Sequence, residues 1–394
     1  MSKLKGMVRA LGRLLPLPLR IGIRRLLWFF MWVTPRIGGI VVPNTATRQR
    51  ILLVYDTSTQ PFSVGDILIC QEAALVLCEK HQVNTVDFAI LYDPVSPGAS
   101  NPVFAKAITQ GSVMYHLASL LPLVQVNQNL GSFFVFNSRE QLIRLIADNA
   151  DQYVVWPEGW RVAIHEYLNP LVFNKLLVEH YDQHGSIPHL SCSPLLMGWA
   201  AQFYRRHVSP QVAVTVNLRN NPAWDTHRNS QMDSWLALFK YCEQRYPVKF
   251  VILCARAEID DRLRKCSNVL LAKDHDSTIE QDLALLQMSA MHMGAGSGPV
   301  SMAWFGAKPY LMIDNAAIMD GEFYRHDHMV VRVDDRIRRF WFASDEQRIH
   351  VGLETDELLI TEFDRMYRAL DVSAWQDSIN TAPQLDGQLN SWLR

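Results

Sequence analysis

Four short, almost unbroken apolar runs punctuate the chain: Arg50–Tyr55 (RILLVY), Val86–Leu91 (VDFAIL), Gln211–Leu218 (QVAVTVNL) and Val248–Cys254 (VKFVILC). A strand that is apolar on both faces must be covered on both faces, and a parallel sheet wrapped by helices does this. Helical patterns separate the runs, so the alternation predicts α/β folding with doubly wound parallel sheets. At 394 residues the chain is too long for one ordinary core. Pro188–Pro194 leads towards a linker between two such series. We expect a leader over 1–45, a first α/β domain over 46–205, a second over 206–345 and a helical tail over 346–394.

In the first series the pattern predicts helices from Val64 to Glu79, around Ala105–Leu121 and over Ser138–Asn149, with a strand near Ser132–Phe136. In the second it predicts helices over Ser230–Tyr246, Ala257–Cys266 and Thr278–Ser289, and strands at Asn268–Ala272, Met291–Met293 and Tyr310–Ile313. The tail carries a helix over Leu358–Leu370, with Trp375 and Trp392 placed to dock on the body.

The net charge of −1 conceals an asymmetry. Residues 1–50 hold ten Lys or Arg and no Asp or Glu, which leaves 28 basic against 39 acidic residues in the remainder. An acidic body is a poor nucleic-acid binder, whereas a basic leader suits an anionic surface. Leu26–Val33 (LLWFFMWV), flanked by Arg24, Arg25 and Arg36, falls short of the ~20 apolar residues needed to span a bilayer. It suits a helix lying at the cytoplasmic face of a membrane through residues 1–42, or one packed on the protein itself. The six cysteines show no CxxC or finger spacing and read as reduced, mostly buried thiols.

The richest stretch is Ser289–Asp314, where an apolar run meets a turn containing Gly294, Gly296, Ser297 and Gly298 before Pro299 opens a helix. Glycines let main chain approach a ligand closely, and amides at a helix start suit a diphosphate. The same pattern also serves as an ordinary strand-to-helix turn. Arg219, directly after the strand Gln211–Leu218, sits where open α/β sheets bind ligands, and its guanidinium suits phosphate; the alternative is a surface pair with Asp225. Asp66, in Val64-Gly65-Asp66-Ile67-Leu68, is either a general base or a helix cap. Glu280 and Asp282 cap and charge a helix start, and Glu280 is also placed to touch a nucleotide.

Three segments in order resemble the GT-B glycosyltransferases of the bacterial heptosyltransferase type (ADP-heptose:lipopolysaccharide). They are Arg50–Tyr55 with Gly65-Asp66, the strand Gln211–Leu218 through Val248–Cys254 with Arg256 and Glu258, and Asp276–Pro309. The resemblance implies two Rossmann-like domains facing a cleft, with Asp66 as base and the Gly294–Gly298 turn on the donor. It places Gly65, Glu158 and His165 on the acceptor side, and makes Arg219 and Arg228 the candidate cations. Gly296 and Ser301 stand where that family usually carries Asp and His. A strand followed by Arg also occurs in fucosyltransferases using a guanosine diphosphate sugar.

Walker A, GxSxG, HExxH, EF-hand and GxGxxG patterns are missing. Asp274-His275-Asp276 has Asp-x-Asp spacing but precedes a helix, and His326-Asp327-His328 lacks a third ligand. The expectation is therefore an enzyme without metal or cofactor, taking a nucleotide sugar and a glycan or lipid-linked acceptor. An epimerase of the same architecture and a non-catalytic glycan-binding protein remain open.

Overall fold

The computed structural model describes residues 50–382 except 59, 61, 96, 98–107, 158–169, 223–225 and 315–329. The leader, Glu158, His165, Asp225, His326-Asp327-His328 and Trp392 lie outside the described residues.

The front half opens with β1 (Arg50–Asp56) and α1 (Val64–His81), followed by β2 (Val86–Leu91) and α2 (Val113–Leu120). It continues through β3 (Leu130–Phe136), α3 (Arg139–Asp148), β4 (Tyr153–Trp156) and α4 (Pro170–His184). All four strands are parallel, in the order β3-β2-β1-β4. The apolar residues of β1 and β2 are buried on both faces, as their composition requires. One buried carboxylate joins the strands at their amino ends: Asp87 accepts from Arg50 Nη1 (2.9 Å), the Ser132 N–H (2.7 Å) and Tyr153 Oη (2.8 Å). With three donors around it the charge is tolerable in the interior.

The rear half is built from α5 (Pro194–His207), β5 (Val212–Asn217), α6 (Met232–Glu243), β6 (Val248–Leu253), β7 (Val269–Leu271) and α7 (Ile279–Met288). There follow β8 (Met291–Ala295), α8 (Ser301–Trp304), β9 (Tyr310–Asp314), β10 (Val330–Arg332), β11 (Ile337–Phe340), β12 (Gln347–Val351), α9 (Asp356–Ala369) and α10 (Val372–Thr381). Parallel strands run β7-β6-β5-β8-β9-β12, and antiparallel β11 and β10 extend the edge. Strand order reverses between β5 and β8, which marks the switch point of a doubly wound sheet. The sheet continues to Val351, and α9 packs on it through Phe363 against Phe250. Helix α5 lies with this half, since Tyr204 Oη donates to the Leu285 carbonyl. Trp375 docks as expected, its Nε1 donating to the Met288 carbonyl at 3.0 Å.

Three local expectations differ from the structure. Ala257–Cys266 forms two 3-10 segments, Arg256–Glu258 and Asp261–Lys265, because the Asp260 carboxylate takes the Arg262 N–H (2.9 Å) and restarts the chain there. The helix around Ala105–Leu121 is described only from Val113, and gives way to a 3-10 segment at Leu121–Val126 with Pro122 in its first turn. The helix opening at Pro299 is a 3-10 turn, Gly298–Val300, followed by the four-residue α8.

Within the rear core, His292 Nδ1 meets Thr215 Oγ1 at 3.1 Å, and burial pushes its pKa down from 6.5 to about 3. Between those values the unfolded chain takes up a proton that the folded chain refuses, so stability falls as pH falls. The slope from this group is up to ~1.4 kcal/mol per pH unit. Denaturant unfolding at pH 7 to 4 should therefore give a shallower acid loss for His292→Asn than for the wild type; equal slopes would remove His292 as the cause.

Candidate functional site

At the switch point, β8 comes unusually close to β5. Gly294 has φ +157°, and a Cβ built there would lie 2.4 Å from the Asn217 carbonyl oxygen, so no side chain fits. The close approach brings Asn217 Nδ2 to within 2.7 Å of Ser297 Oγ, to which it donates. Arg228 reaches the same turn from the loop after β5, its Nη2 donating to the Gly296 carbonyl.

That loop is closed on itself. Arg219 and Ser230 exchange two bonds: the Ser230 N–H donates to the Arg219 carbonyl (2.8 Å), and the Arg219 N–H to Ser230 Oγ (3.2 Å). Asn229 clamps Asn221 through Oδ1 (3.0 Å) and Nδ2 (2.9 Å). The Asn220 N–H donates to Glu258 at 3.1 Å. Arg219 is 7% exposed, and its Nη1 contacts Asn229 Oδ1 at 3.5 Å.

Two expectations about the glycine turn change. Gly296 gives its N–H to the Ile313 carbonyl (2.9 Å), so its amide is occupied by the sheet. The segment behind the turn is too short to carry a strong dipole, so any attraction for an anion would come from the amides of Ser297 and Gly298 and the nearby guanidinium.

The front half meets this turn at α1. Ser63 caps the helix by accepting the Asp66 N–H (3.4 Å), so Asp66 is the third helical residue and not the cap. Its side chain is half-buried. One residue earlier, Gly65 abuts Gly298: a Cβ on Gly298 would lie 2.9 Å from the Gly65 nitrogen. A Cβ on Gly65 would lie 3.3 Å from both the Gly298 Cα and Ser301 Oγ. Asp66 and Ser297 each adjoin one side of this contact.

Glu280 stands in the first turn of α7, half-buried, with Oε2 shielded from solvent and without a hydrogen bond among the described residues. The cap there is made by Thr278 and Gln281. Asp282 pairs with Lys273 at 2.6 Å, and burial raises its pKa to about 6. Asp274 and Asp276 are paired with Arg264 and Arg256. Among the described residues no group of three or more His, Cys, Asp or Glu is arranged for a metal. Asn217 is the residue that sequence reasoning passed over, although a polar side chain ending an apolar strand was a visible signal.

No protein-family model matches the chain, and no curated protein matches it by sequence. Among solved structures, a family 9 glycosyl transferase from Veillonella parvula superposes with TM-score 0.49 at 11% identity, covering 86% of this chain and 97% of that one. The Escherichia coli ADP-heptose lipopolysaccharide heptosyltransferase II gives 0.48 at 11% identity, covering 81% and 98%. The fucosyltransferase NodZ from Bradyrhizobium gives 0.28 at 12% identity, covering 66% and 94%.

Because a new Cβ would meet the Gly65 nitrogen at 2.9 Å and the Val64 Cβ, fixed directly to the main chain, at 3.0 Å, Gly298→Ala must push the α1 start and the glycine turn apart. We expect a loss of ~1–3 kcal/mol in chemical denaturation and weaker ligand binding at the turn. A variant as stable as the wild type would show that the contact gives way freely.

Proposed function

We propose that this chain is a glycosyltransferase of the GT-B form, moving a sugar from a nucleoside diphosphate to a glycan or lipid-linked acceptor. The observation that carries the reading is the backbone contact of Gly65 with Gly298, which sets the start of α1 against the anion-binding turn of the rear sheet. A donor and an acceptor held on either side of that contact would meet between Asp66 and Ser297.

In this mechanism the amides of Ser297 and Gly298, with Arg228 and Arg219, hold the diphosphate and stabilise the charge that develops as it leaves. Asp66 takes the proton of the attacking acceptor hydroxyl. A single candidate base favours inversion at the sugar carbon. With guanidinium groups neutralising the leaving group, no metal is assigned a role. Glu280, at a helix start on the same edge, lies on the nucleotide side. The basic aromatic leader would hold the enzyme at the inner face of a membrane; no helix among the described residues is long and apolar enough to cross one.

Thermal shift with ADP, GDP, UDP and CDP should reveal stabilisation by at least one, and none would defeat the proposal. Asp66→Asn should then abolish turnover while leaving nucleotide affinity within about twofold of wild type; a working Asp66→Asn would remove it as base. Deleting residues 1–42 should abolish flotation with anionic vesicles, and unchanged flotation would refute the leader's role.

A further inference from the structure

Helix α6 begins directly after the Arg219–Ser230 loop, and no side chain of its own first turn caps it. The group at its start comes from 123 residues further on. Glu354, 3% exposed on the segment leaving β12, accepts the Gln231 N–H and the Trp235 indole N–H (2.9 Å). Its other oxygen, Oε1, is buried and without a hydrogen bond among the described residues. Ser230, the residue before Gln231, accepts the Arg219 N–H through Oγ and gives its own N–H to the Arg219 carbonyl, so Glu354 anchors the chain one residue from the contact that holds the main chain of Arg219. The neighbouring backbone is fixed as well, since Ser234 Oγ donates to the Asp356 carboxylate at 2.9 Å.

We infer that Glu354 is the positioning residue of the donor loop: a carboxylate from the far edge of the sheet that fixes where Arg219 and Arg228 stand. It touches neither sugar nor phosphate. A carboxylate at a helix start is favoured by the local dipole, and two donors on one buried acid, from the main chain and from an indole, make a rigid anchor. Burial pushes this carboxyl up to about 7, while its bonds to Gln231 and Trp235 pull it down. The location is economical in reach: without Glu354 the loop is closed by contacts within itself and by the Asn220–Glu258 and Arg228–Gly296 bonds.

The assignment rests on the reading that this loop holds a nucleoside diphosphate. Affinity of the full-length chain for ADP, GDP, UDP and CDP is measured by calorimetry for the wild type, Glu354→Leu and Glu354→Gln. Circular dichroism and a cooperative melt check folding. For the nucleotide that the wild type binds, Glu354→Leu should weaken affinity about tenfold. Glu354→Gln, which keeps one acceptor oxygen, should recover part of the loss. In turnover, the donor KM should rise while kcat changes less than about threefold. A folded Glu354→Leu that binds as tightly as wild type overturns the assignment and leaves the transferase reading standing. If Glu354→Leu does not fold, Glu354→Gln decides: an affinity lowered about threefold supports the assignment, and an unchanged one overturns it. A wild-type chain that binds none of the four defeats the transferase reading, and this assignment with it.

Discussion

Everything proposed for this chain depends on two glycines touching. Gly65 opens the first helix of the front sheet, Gly298 closes the turn of the rear one, and their main chains meet without side chains between them. Contact at that distance aligns two elements whose chemistry differs: a carboxylate at a helix start on one side, and a hydroxyl with amides on the other. Residues bulkier than glycine would push these groups apart.

Behind the contact, buried polar groups do the aligning. Asn217 holds the Ser297 hydroxyl, Arg228 holds the Gly296 carbonyl, and Asn229 keeps the intervening loop folded. The first two are long-range bonds between elements that the sheet has already brought close, and the third closes the loop on itself, so the loop gains definition at little entropic cost. The rear half is therefore a preorganised surface before any ligand arrives.

How much of this was legible from residues alone follows from where each signal resides. β1, β2, β5 and β6 announce themselves because both faces of each are buried, and composition alone then marks a strand. β11 and β12 (IRRF and QRIHV) escape notice because their half-buried positions admit arginine and because buried Gln347 and His350 break the apolar run. The helix expected over Ala257–Cys266 fails on one carboxylate that bonds the chain two residues on. The glycine turn and Asp66 were visible as motifs, but that Ser63 and not Asp66 caps α1 depended on a local geometry that both residue types allow. The reach of Arg228 across 68 residues and of Glu354 across 123 has no local trace, because tertiary folding alone creates it.

Asp87 has a wider consequence. One acid ties β1, β3 and β4 to β2 at the amino ends of the front sheet, the end opposite the start of α1. Registration of the four strands is thus decided at the floor of the domain, independently of the loops at its rim. Insertions and exchanges among those rim loops can accumulate without letting a strand slip, so the loops are free to diverge while the platform beneath them stays the same.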